Sequence, residues 1–140
     1  MTEDDQAKWN AIFETPDPFD YTSEYERIKY LHTLKAVVNR KPRAVVELAC
    51  AEGSFTNLLA PHVESLLAVD ISDIALDRAR ERCAAQKNIT YSRMDITRIL
   101  PEGEFDLAVC SEVLYYVGDR YALADFARNV AGIIKPGGFL

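Results

Sequence analysis

Between Arg43 and Ser111 the chain carries four short apolar segments, each followed by a stretch of helical or turn character. They are Arg43–Ala49 (Arg-Ala-Val-Val-Glu-Leu-Ala), Ser65–Asp70 (Ser-Leu-Leu-Ala-Val-Asp), Asn88–Arg93 and Phe105–Ser111 (Phe-Asp-Leu-Ala-Val-Cys-Ser). The second is apolar on both faces, the pattern of a parallel strand covered on two sides rather than of a strand with one wet face. Strands that alternate with helices predict an α/β fold: a doubly wound, mainly parallel sheet with helices on both faces.

The intervening segments carry helix signals. Ser23 with Glu26 three residues on has the spacing of a capping box, and Glu24–Asn39 reads as a helix with Ile28, Leu31, Leu34 and Val38 on one stripe. Ser54–Ala60 is a short helix stopped near Pro61. Ser72 caps a helix whose stripe is Ala75, Leu76, Ala79 and Cys83. Another helix is expected from Asp119 to Ile134, after which Gly137-Gly138 opens a fifth strand. That ending makes the fold look C-terminally incomplete. It also leaves strand four as an edge too apolar to stand open, so an oligomer or partner covering it is expected. Residues 1–40 form an N-terminal lid and helix, with Trp9, Phe13, Phe19, Tyr21 and Tyr25 dense in polar surroundings, and 41–140 form the α/β core.

Composition narrows the function. A 140-residue chain that is 49% hydrophobic and 27% charged is globular, and its net charge of -6 repels phosphate backbones and anionic lipid. No nucleic acid and no membrane are therefore expected as partners. The polar, acidic start argues against a secretory leader. Cys50, Cys83 and Cys110 have neither metal spacing nor an even count, so reduced thiols, a cytoplasmic location and no metal are expected.

In open parallel sheets ligands bind outside the carboxyl ends of the strands. Those ends are Glu47–Gly53, Asp70-Ile71, Met94-Asp95-Ile96 and Ser111-Glu112. In Glu47-Leu48-Ala49-Cys50-Ala51-Glu52-Gly53 small residues alternate, which lets a ligand approach the backbone or makes an ordinary tight turn. Asp70 stands 23 positions after Glu47, where an acid accepts from both hydroxyls of a ribose. Ser72 already serves as the helix cap, which would leave the Asp70 carboxylate free. Asp95 between Met94 and Ile96 suits an adenine ring and its amine, or caps its own turn through Thr97.

As a set, with Lys135-Pro136-Gly137-Gly138, these motifs resemble those of the class I S-adenosyl-L-methionine-dependent methyltransferases. The departure is Ala49 and Ala51 where that family has glycines. A narrower likeness exists to the NodS-type enzymes, nodulation N-methyltransferases acting on the glucosamine end of a chitooligosaccharide. It rests on Ser111-Glu112-Val113-Leu114-Tyr115-Tyr116-Val117, Asp17-Pro18-Phe19 and Tyr25-Glu26-Arg27-Ile28-Lys29-Tyr30. The resemblance implies a Rossmann-like fold, the cofactor S-adenosyl-L-methionine and a small-molecule or saccharide acceptor. It puts Ala49 and Gly53 on the methionine part, Asp70 on the ribose, Asp95 on adenine, and Glu47 near the methionine amine through water. Cys50, Ala51, Ile71, Met94, Ile96 and Ser111 complete the expected cofactor contacts. Tyr25 and Lys29 join them from the N-terminal region, although a lysine there is as easily solvated.

Methyl transfer from a sulfonium needs positioning above all, and an amine acceptor needs its proton removed or oriented. Glu112, after strand four, is the expected catalytic carboxylate. Tyr115 is expected to stack on or hydrogen-bond the acceptor, against a packing role for one of the tyrosine pair. The competing functions are a non-catalytic cofactor-binding module and an O-methyltransferase of a small metabolite.

Overall fold

The computed structural model describes residues 3–140. Five strands, β1 (Ala44–Leu48), β2 (Ser65–Asp70), β3 (Ile89–Arg93), β4 (Phe105–Val109) and β5 (Ile134–Phe139), form one sheet in the order β3-β2-β1-β4-β5. Every pairing is parallel. Helices α1 (Glu3–Phe13), α2 (Glu24–Val38), α3 (Ser54–Leu59), α4 (Asp73–Arg82) and α5 (Arg120–Ile133) connect and flank it. β2 reads as apolar on both faces because both faces of the sheet are covered. Val45, Leu66 and Leu107 pack with Phe55, Leu59 and α2, whereas Val46, Val69 and Ala108 pack with Phe126 and Val130 of α5. The order reverses at β1, so the ends of β1 and β4 diverge into the crevice where such sheets bind ligands.

Three expectations change. β4 is not an edge, because β5 pairs with it inside the chain, Phe105 opposite Ile134 and Leu107 opposite Phe139. No partner is therefore needed to cover that strand; the edges are β3 and β5. β5 begins at Ile134, three residues before the expected opening, and takes Pro136 into an edge strand, where a missing N–H is tolerated. A Cβ on Gly138 would lie 2.8 Å from the Asp106 carbonyl oxygen, so the β4–β5 approach needs glycine there. Finally, α2 buries Tyr30 and Val37, with Leu34 packed beside them, while Ile28 and Leu31 are exposed. The helical period was legible but its phase was not, because Tyr30 is the residue that reaches Phe55, ring centroids 5.4 Å apart.

Caps and anchors follow the sequence more closely. Ser23 Oγ accepts from the Glu26 amide at 3.3 Å and Ser72 Oγ from the Ala75 amide at 3.2 Å. Ala75, Leu76, Ala79 and Cys83 are all buried. Asp106 Oδ2 accepts the amides of Arg43 (2.9 Å) and Ala44 (2.7 Å), and its other oxygen pairs with Lys135. One carboxylate thus ties the start of β1 to β4 and β5. The Lys135 ammonium and those amides hold its carboxyl below the usual range.

The N-terminal segment is more ordered than its polar sequence suggests. α1 lies across the start of α4, where Ser72 Oγ donates to Asn10 Oδ1 at 2.6 Å and Gln6 Nε2 to Asp73 Oδ2 at 2.9 Å. Among the described residues no helix is long and apolar enough to cross a membrane, and no cluster of His, Cys, Asp and Glu could hold a metal.

Candidate functional site

A cavity opens at the carboxyl ends of β1, β2, β3 and β4. Glu47, Ala49, Cys50 and Ala51 line it from β1 and its turn, Asp70 and Ile71 from β2, Met94 and Ile96 from β3. Ser111, Glu112 and Val113 come from the end of β4. The roof is aromatic: Trp9 and Phe13 from α1, Phe19 and Tyr21 from the connecting loop, Tyr30 from α2, and Tyr116. Trp9 meets Tyr116 edge-on at 4.8 Å between centroids, and Phe19 meets Tyr21 at 5.5 Å. Edge-to-face and tilted contacts of this kind add to the area the rings bury.

The turn after β1 has a glycine backbone made with alanines. Ala49 has φ +62° and Ala51 φ +51°, both left-handed. An L-residue there costs about 1–2 kcal/mol, partly offset because alanine loses less freedom on folding than glycine does. The two positions where the sequence departs from the glycine pattern therefore keep the glycine conformation. Ala49→Gly and Ala51→Gly are each expected to stabilise the protein by about 0.5–1 kcal/mol, read from denaturation midpoints. A fall in either midpoint would mean that the methyl group's packing outweighs the strain. Gly53, φ +81°, does not line the cavity. A Cβ on it would stand 2.9 Å from Ala79 Cβ, so its role is close packing of the turn on α4.

Asp70 is not free. Its Oδ2 accepts the Ala51 amide and its Oδ1 the Ser72 amide, each at 2.9 Å. The carboxylate thereby fixes the β1 turn against the start of α4. Burial pushes its carboxyl above the usual range, opposed by those amides and that of Ile71. A carboxylate oxygen has two lone pairs, so each can take a further donor from a ligand. Glu47 is more extreme. It is 4% exposed, and the Thr56 hydroxyl donates to its Oε2 at 2.6 Å. Burial pushes its carboxyl up to about 8, opposed by the Thr56 hydrogen bond and helped by the neighbouring Asp70 charge. Burial likewise pushes the Cys50 thiol far up, so it is a filler and not a nucleophile.

At the mouth, Glu112 has φ +58° and accepts a hydrogen bond from Lys29 Nζ at 2.7 Å. The same ammonium lies 2.6 Å from Glu26 Oε2. Burial works against this ammonium's charge, but the bonds to Glu112 and Glu26 outweigh it and raise its pKa. Lys29 thus reaches Glu112 and not the cavity wall.

Three other expected residues stay off the wall. Tyr25 is 75% exposed on α2 and Tyr115 is 77% exposed, while Tyr116 takes the inward place. Asp95 is engaged in its own turn, accepting from the Thr97 amide (3.0 Å) and hydroxyl (2.7 Å), with Arg98 Nε at 3.5 Å. Asp95 thus caps its own turn and does not line the cavity.

The chain also matches known proteins in sequence and in fold. Residues 7–140 match the model of the family described as Nodulation protein S (NodS). The chain belongs to the NodS family. It is 33% identical over 141 residues to a Nodulation protein S of Rhizobium tropici, covering 99% of this chain and 59% of that protein. This NodS-family chain thus spans less than two thirds of that relative. It is also 31% identical over 116 residues to a Ubiquinone biosynthesis O-methyltransferase of Coxiella burnetii, covering 81% of this chain and 47% of that enzyme. Its fold matches the crystal structure of N-methyltransferase NodS from Bradyrhizobium japonicum WM9 in complex with S-adenosyl-L-homocysteine. There the TM-score is 0.87 at 28% identity, covering 96% of this chain and 71% of that one.

Proposed function

We propose that this chain carries the cofactor half of an S-adenosyl-L-methionine-dependent N-methyltransferase whose acceptor is an amine-bearing saccharide. The observation that carries the reading is the pairing of two buried carboxyls, Glu47 and Asp70, with an aromatic roof at the sheet's switch point.

The residues present fit such a cofactor by their chemistry. Buried acids beneath π faces favour a cation, and a carboxylate ending β2 suits a ribose. Ile71, Met94 and Ile96 supply apolar walls for a flat ring. When bound, S-adenosyl-L-methionine supplies a methyl group on a positive sulfur. In this reading Glu47 faces the ammonium of the methionine part and Asp70 the ribose. Trp9, Phe13 and Phe19 exclude water from above, so the segment from Trp9 to Tyr21 acts as a lid while the helix from Glu24 packs on the sheet. Glu112 receives the acceptor amine at the mouth. Paired with Lys29, it orients that amine more readily than it deprotonates it.

The test is S-adenosyl-L-homocysteine binding by calorimetry, followed by mass detection of methyl transfer to free-amine glucosamine oligosaccharides. Glu112→Gln is expected to lower turnover by about 10²-fold with S-adenosyl-L-homocysteine affinity nearly unchanged. Transfer only to phenolic or alcoholic acceptors would assign O-methylation instead. Binding without turnover on either class would leave a binding module, and no binding would remove the proposal.

A further inference from the structure

The most connected side chain near the cavity does not touch it. Arg78, on α4, donates from Nη1 to the Phe13 carbonyl, to the Thr15 carbonyl (3.4 Å) and to Glu52 Oε2 (2.9 Å). Its Nη2 reaches the Glu14 carbonyl at 3.2 Å. Three successive carbonyls at the end of α1 therefore converge on one guanidinium. The last turn of α1 has no basic residue of its own, so the helix end that most needs positive charge gets it from α4.

Glu52 completes the arrangement. It is 4% exposed and sits in the β1 turn between Ala51 and Gly53. One oxygen holds Arg78, and the other accepts the Asp17 amide at 2.8 Å. Asp17 in turn organises the loop that carries Phe19, accepting the amides of Tyr21 (2.7 Å) and Thr22 (3.2 Å). Arg82 Nε fixes the Glu52 carbonyl at 2.9 Å. The roof of the cavity and the turn that forms its floor thus share one ion pair, in which Glu52 is buried and Arg78 half-buried.

We propose that Arg78, seated on Glu52, is the positioning residue that holds residues 13–22 closed over the cavity and so sets how long a bound ligand stays. Arginine suits this place because its planar guanidinium spreads donors over two nitrogens in fixed directions, here Nη1 and Nη2, which the single nitrogen of a lysine does not reproduce. The closure belongs to the free protein; the ligand part rests on the cofactor reading above.

Hydrogen exchange of residues 13–22, without ligand, tests the closure in Arg78→Met, Arg78→Lys and Glu52→Gln. Trp9, the one tryptophan in the sequence, reports the same event by its emission and by acrylamide quenching. Exchange is expected to quicken about tenfold or more and Trp9 to become more quenchable in Arg78→Met. Arg78→Lys should restore little of the protection. S-adenosyl-L-homocysteine should leave the variant about tenfold faster than the wild type. Unchanged exchange and quenching in both arginine variants would overturn the proposal, as would faster exchange with unchanged ligand release. If Arg78→Met fails to melt cooperatively, Arg78→Lys and Glu52→Gln decide it. If the wild type binds no S-adenosyl-L-homocysteine, the cofactor reading fails, while faster exchange still supports the latch.

Discussion

Replacing Glu47 by Gln is expected to flatten the stability of the free protein between pH 5 and pH 8. In the folded chain this carboxyl is pushed up to about 8, whereas an unfolded glutamate keeps its ordinary value. Between those values the folded state holds the proton and the unfolded state has lost it. Stability therefore falls as pH rises, and is fully present only below the unfolded value. At 1.36 kcal/mol per unit, the loss between pH 5 and pH 8 is about 3–4 kcal/mol from this one group. The glutamine of the Glu47→Gln variant would still offer a carbonyl oxygen to the Thr56 hydroxyl, so the hydrogen bond at 2.6 Å has a replacement acceptor. Asp17 and Asp106 are held low, so their linkage acts in acid and outside this window, whereas the raised Asp70 adds a slope of the same sign to wild type and variant alike. Thermal midpoints of wild type and Glu47→Gln across pH 5–8 make the comparison. Parallel curves would show that Glu47 ionises freely in the fold. A cationic ligand reverses the sign locally, because its charge favours the carboxylate. Because the raised carboxyl holds its proton in the free protein at neutral pH, cofactor binding should release protons, which calorimetry in buffers of different ionisation enthalpy would count.

Why Glu47 was legible as a site residue, and its state was not, follows from what a sequence records. An acid inside Val-Val-Glu-Leu is visible at once as a carboxyl among apolar neighbours. Its protonation depends on burial first, with a smaller push from Asp70, and both arise only after β1 and β2 pair, with Glu47 opposite Ala68. The alternation of strands and helices likewise followed from apolar runs separated by caps, since burial on two faces leaves a pattern in composition. Helix phase left a weaker trace. In α2 both the Ile28 and the Tyr30 stripes are apolar, and only the position of Phe55 selects one. α1 was missed because its polar residues outweigh the pair Trp9 and Phe13, which sit one helical turn apart and make the face turned to the cavity. Arg78 and Glu52 were missed for a different reason. Glu52 lies between Ala51 and Gly53 in a turn that otherwise excludes bulk, and a charge in that place requires a partner. That was the available signal, but nothing in the sequence says which of the arginines of α4 supplies it.

Asp70→Ala is expected to damage the protein before any ligand is added. If the carboxylate served only a ribose, the free protein would lose nothing when it is removed. Instead the Ala51 and Ser72 amides both end on it, and Ser72 is fully buried. Stranding a buried N–H such as that of Ser72 costs about 1–3 kcal/mol and the half-buried Ala51 amide less, so the two together predict a loss of about 2–4 kcal/mol. For a chain of 140 residues that lowers the thermal midpoint by roughly 8–16 °C. Asp70→Asn separates the two roles. Its carbonyl can accept one amide, but its NH2 group faces the other and cannot. It should recover part of the stability while still binding the cofactor weakly, because the turn that holds Ala49 and Ala51 at positive φ would lose one of its two fixed ends. Ligand affinity should therefore fall further than the loss of a single charged hydrogen bond, by more than about tenfold. An alanine variant with the wild-type midpoint and weakened binding would show that Asp70 acts on the ligand alone, and that the β1 turn holds its shape without it.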